Sequence, residues 1–144
     1  MLGRKDYTQA EYDGAKAAVA RQIATYKKVA KLAEGQGDKK ASSTLDELET
    51  VYFNNMALVL DRYFVHRIRA VSGKDGNPLN ELELVCDSLM NNGGVFQGNN
   101  VIKYVPDDSV VKLRAGDTIA LSASDFQRLS TAFFEELQRR FLSS

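Results

Sequence analysis

The run TQAEYDGAKAAVARQIATYKKVAKLAEG, residues 8–35, opens with a helix-start signal and keeps one period to its end. Thr8 followed by Glu11 has the spacing of a capping box, in which a hydroxyl and a carboxylate satisfy amides that the first helical turn leaves open. From Tyr12 the apolar residues fall at Ala15, Val19, Ile23, Tyr26, Ala30 and Ala33, steps of three and four that draw one stripe along a helix. The stripe stops at Gly35. Residues 35–43, with Gly37, Asp38, Lys39, Lys40, Ser42 and Ser43, have too little apolar content to pack and are expected to form an exposed linker.

Ser42, Ser43 and Thr44 are candidate N-caps ahead of Asp46 and Glu47, whose charges suit the positive end of a helix dipole. The helix they predict carries Leu45, Leu48, Tyr52, Met56, Val59, Tyr63 and His66 as its main stripe, with Phe53, Leu60, Phe64 and Ile68 as a second flank. Residues 9–34 and 45–70 would each span about 39 Å as helices, and matched lengths joined by a short linker favour an antiparallel hairpin. Asn77-Pro78 predicts the start of a third helix, ending at Asn91 to Gly94, and Ser122 with Asp125 opens a last one with the stripe Phe126, Leu129, Phe133, Leu137 and Phe141. Between these two, Val101 to Val105, Val110 to Leu113 and Thr118 to Leu121 are short β-branched runs separated by turn residues. The expected architecture is mainly α: one helical bundle over residues 1–144, built on the hairpin, with a small β-hairpin inserted at 95–121.

The 144 residues are the size of one domain, and 44% hydrophobic content is enough for a core. Nineteen basic and nineteen acidic side chains cancel, which argues against a nucleic-acid partner. A single cysteine, Cys86, excludes an intramolecular disulfide, and with one histidine it excludes the usual closed zinc site; a reducing cytoplasm is the expected setting. Residues 1–7 lack the apolar core of a secretion signal and no window is long enough to span a bilayer, so a soluble, unprocessed protein away from membranes is expected. Charge is uneven all the same: residues 1–43 hold nine basic and five acidic groups, and residues 81–144 six and nine. Lys16, Lys27, Lys28, Lys31, Lys39 and Lys40 suit an acidic partner or a phosphate backbone, although a solvated helix face accounts for them equally well. The alanines of the first helix permit close helix approach, and Tyr7, Tyr12 and Tyr26 are expected as an exposed dimer or partner surface.

Polar chemistry concentrates at one corner. His66, Arg67 and Arg69 precede a turn containing Gly73, Lys74, Asp75 and Gly76, and then Asn77 and Asn80. Structurally, the cations complement a helix C-terminus and Asn77 caps the next helix; this reading is the favoured one. Functionally, the open amides of the third helix, with His66, Arg67, Arg69, Lys74, Asn77 and Asn80 around them, form a candidate site for a small anion. No Gly-x-x-x-x-Gly-Lys-Ser/Thr loop, calcium loop or nucleophile elbow is present, so no catalytic residue, metal or cofactor is assigned.

The segment Phe64-Val65-His66-Arg67-Ile68-Arg69 followed by Gly73 to Glu81 resembles an uncharacterised family of small bacterial, actinobacterial proteins. The resemblance implies a bacterial cytoplasm and no particular activity. The sequence thus favours a non-enzymatic protein-interaction or self-assembly module, with a homodimer among its forms. The alternative is an anion- or metabolite-binding protein, or an enzyme, with its site at the corner.

Overall fold

The structure, a computed structural model, describes residues 6–65 and 73–142. Four helices dominate: α1 (Gln9–Gly35), α2 (Lys39–Tyr63), α3 (Pro78–Asn91) and α4 (Ala123–Phe141). α1 packs on α2 and α4, and α3 closes the other side of the same two helices.

Local chemistry sets the helix starts. Thr8 and Glu11 form the reciprocal capping box, each accepting the other's amide at 3.1 Å. Ser122 and Asp125 do the same for α4, and Asn77 caps α3 with Pro78 in its first turn. The start of α2 differs from expectation. Asp38 accepts the amides of Lys40 and Ala41 at 2.9 and 3.3 Å, so the helix begins at Lys39 and Ser42, Ser43 and Thr44 lie inside it. An aspartate caps as well as a serine, and it stands earlier in the chain. The connection expected over 35–43 shrinks to Gln36, Gly37 and Asp38, with Gly37 at φ +66° making the turn. α2 also ends at Tyr63, short of the expected 70; residues 66–72 lie outside the described ones.

The core forms where the stripes meet. All five residues of the expected α4 stripe are buried, and Phe126 lies 5.7 Å from Phe53 while Phe133 lies 5.8 Å from Phe64, ring centre to ring centre. On α2 the core face follows the expected second flank: Phe53 and Leu60 are buried, as are Phe64 just past the helix, Met56 of the main stripe and Ala57, whereas Leu48, Val59 and Tyr63 of the main stripe are exposed. Tyr7, Tyr12 and Tyr26 are core residues too, which corrects their expected role as a dimer surface. Tyr12 and Tyr26 sit on the α1 stripe itself. Tyr12 buries its ring against Phe134 and donates its hydroxyl to the Phe134 carbonyl at 3.1 Å, so an amphipathic side chain is satisfied inside.

The β-hairpin expected at 95–121 does not form. No strand occurs among the described residues; Val95 and Thr118 make an isolated antiparallel bridge, and Pro106–Asp108 is a single 3-10 turn. Side chains take the amides that a strand would have offered its neighbour. Asn99 accepts from Val101 and Ile102, Glu81 from Val110 and Val111, and Asn54 both accepts from Leu121 and donates to the Ile119 carbonyl. Phe96, Ile119 and Leu121 anchor this irregular segment in the core.

Candidate functional site

Of the six residues expected at the polar corner, His66, Arg67 and Arg69 lie outside the described residues. The other three are close in space and locally engaged. The Asn77 carboxamide oxygen accepts the amides of Leu79 and Asn80 at 2.9 and 3.1 Å, and its nitrogen donates to Asp75 at 3.1 Å. Asn80 donates to the carbonyls of Gly73 and Asp75, which folds the turn over the start of α3. The Lys74 side chain is exposed, and its carbonyl accepts the Lys103 amide at 2.6 Å. Gly76 is where the backbone of 103–105 approaches: a Cβ there would stand 3.3 Å from the Lys103 oxygen and the Tyr104 Cα.

One turn into α3, Glu81 is the most buried carboxylate described, 1% exposed. Its two oxygens accept the amides of Val110 and Val111, each at 2.9 Å. Burial pushes its pKa above the ordinary carboxyl range, against the two amides and the Arg128 guanidinium, which pull it down. In sequence Glu81 only closes the polar segment that begins at Gly73, with no role assigned to it. Nothing local signals that it reaches a loop 29 residues on. Among the described residues, no group of His, Cys, Asp and Glu side chains is placed to hold a metal ion, and the buried Cys86 thiol contacts the Ala57 carbonyl.

A different surface has the shape of a binding site. Where α1 and α4 run side by side they leave a groove of ≈ 300 Å³. Its floor is apolar: Val19, Ile23 and Phe134 are buried beneath it, and the methyl groups of Ala20 and Ala24 face outward. Because these two are alanines, the helix backbone is reachable along the floor. Lys16 and Lys27 stand on the α1 rim, Gln127 and Glu135 on the α4 rim. The Lys27 ammonium donates to the Gln127 side chain at 2.6 Å, and the Lys16 ammonium lies 5.6 Å from the centre of the Tyr12 ring. No ion pair among the described residues uses Lys16, Lys27 or Glu135. The lysines and the alanines are both legible in sequence, but the groove they make with α4 requires the tertiary packing.

No helix among the described residues is long and apolar enough to cross a membrane. No protein-family model matches this chain, and neither a curated protein nor a solved structure does.

Proposed function

We propose that this protein is a non-enzymatic interaction module that receives a helix of another protein in the groove between α1 and α4. One observation carries the reading: a concave apolar floor opened by Ala20 and Ala24, lying between two helices whose opposite faces are fixed in the core. Small side chains let a third helix approach to the roughly 8–10 Å at which helices pack. An amphipathic helix laid into such a groove is a recurrent mode of peptide recognition. The setting we propose is a bacterial cytoplasm, in keeping with the lone Cys86 and the resemblance given above.

Filling the groove tests the reading. Ala24 is exposed, so Ala24→Arg leaves the core untouched and should preserve the thermal midpoint. Titrated with a panel of labelled amphipathic helical peptides, the wild-type protein is expected to bind at least one, and the arginine variant none. Binding of every such peptide to both proteins alike, or to neither, contradicts a groove-based module.

A further inference from the structure

Resting on that docking reading, we infer that the helix received is acidic along one edge, with two carboxylates three turns apart that pair with Lys16 and Lys27. The inference comes from spacing and charge. Lys16 and Lys27 are eleven residues apart on α1, which is three turns and about 16 Å, and both line the same groove. A helix lying nearly parallel or antiparallel to α1 repeats its own face with the same period, so acids eleven residues apart on one of its edges meet both ammonium groups at once. Neither lysine is neutralised by a carboxylate among the described residues; the Lys27 ammonium holds only the neutral Gln127 side chain on the opposite rim, a contact that the acidic edge displaces in favour of an ion pair. The opposite rim carries Glu135, which is likewise without a cationic partner there and suits a lysine or arginine on the other edge of the same helix.

Other occupants fit less well. A phosphate backbone would satisfy the lysine rim but would face the Glu135 carboxylate across the groove. An anionic bilayer would meet the same Glu135 carboxylate. The apolar hollow between α1 and α2, lined by Val29, Ala33 and Leu48, has Asp38 and Lys40 at its edge, whose opposite charges specify no occupant.

The test uses three synthetic peptides of about 18 residues, long enough to reach a helix, that share one leucine and alanine stripe. They carry glutamate, glutamine or lysine at two edge positions eleven apart. In fluorescence anisotropy the wild-type protein should bind the glutamate peptide about fivefold more tightly than the glutamine peptide and bind the lysine peptide least, with the gap closing as salt rises from about 0.05 to about 0.5 M. Lys16→Glu with Lys27→Glu should invert the order, and Lys16→Gln with Lys27→Gln should abolish it; circular dichroism confirms that each variant is folded. Equal binding of all three peptides, still blocked by Ala24→Arg, overturns the acidic-edge inference and leaves the docking reading standing. Binding of none overturns both.

Discussion

Helix α4 and the irregular segment before it, residues 92–122, bury side chains in one core, but they satisfy their backbones in opposite ways. α4 bonds mostly to itself, closes its first turn with the Ser122–Asp125 capping box, and contributes Phe126, Leu129, Phe133, Leu137 and Phe141 at helical spacing. The preceding segment has no strand: Phe96, Gly116 and Ile119 pair with backbone across an isolated bridge, and the amides of Gln97, Val110, Val111 and Leu121 are held by side chains of the helices, Ser88 and Glu81 of α3 and Asn54 of α2. Even the first amide of α4, that of Ala123, is bonded to Glu49 of α2 at 2.9 Å. Buried backbone must find partners, and where no strand supplies them, helix side chains have to. The frame is therefore vulnerable through packing, and the segment through a few polar side chains.

Substitutions can break each half of that contrast. Phe133→Ala removes a fully buried ring at the centre of the frame and should lower stability by about 3–5 kcal/mol in denaturant unfolding. A near-neutral result would mean that the aromatic cluster does not carry the frame. Glu81→Ala leaves the amides of Val110 and Val111 without their acceptor and should cost about 2 kcal/mol.

Glu81 also makes a pH prediction with a definite sign. Its folded pKa lies above the unfolded value, so the native state holds that proton longer. Its contribution is complete below the ordinary carboxyl pKa and is lost as pH rises through the raised value. The stability of wild type relative to Glu81→Gln should accordingly fall across that window, and a relative rise would show that the two amides outweigh burial. The smallest effect is at the polar corner, where Asn77→Ala should cost about 1 kcal/mol through loss of the α3 cap. An unchanged unfolding midpoint would remove Asn77 from the set of stabilising caps.

What could be read in the sequence follows the same division. The stripes of α1 and α4, both capping boxes and the Asn77-Pro78 start are local patterns, and they stand in the structure as expected. On α2 the pattern was ambiguous because Leu48, Val59 and Tyr63 keep helical spacing beside Phe53, Leu60 and Phe64. Only packing against α1, α3 and α4 selects the second set. The runs 101–105, 110–113 and 118–121 misread as strand because β-branched side chains report a preference, while the amide acceptors that decide the outcome are Asn99 beside the first run, Glu81 of α3 for the second and Asn54 of α2 for the third. The groove was illegible for a related reason: Lys16, Ala20, Ala24 and Lys27 announce a small-residue, basic helix edge, but its concavity needs Phe134 and Glu135 from α4 alongside.

The most direct measurement is amide hydrogen exchange, read residue by residue, on the wild-type protein, Glu81→Ala and Asn54→Ala. If helix side chains hold the segment, Glu81→Ala should lose protection at Val110 and Val111 and Asn54→Ala at Leu121, while the central amides of α1 and α4 remain slow. Unchanged protection at those three amides, or a loss spread evenly through α1 and α4, would contradict the account.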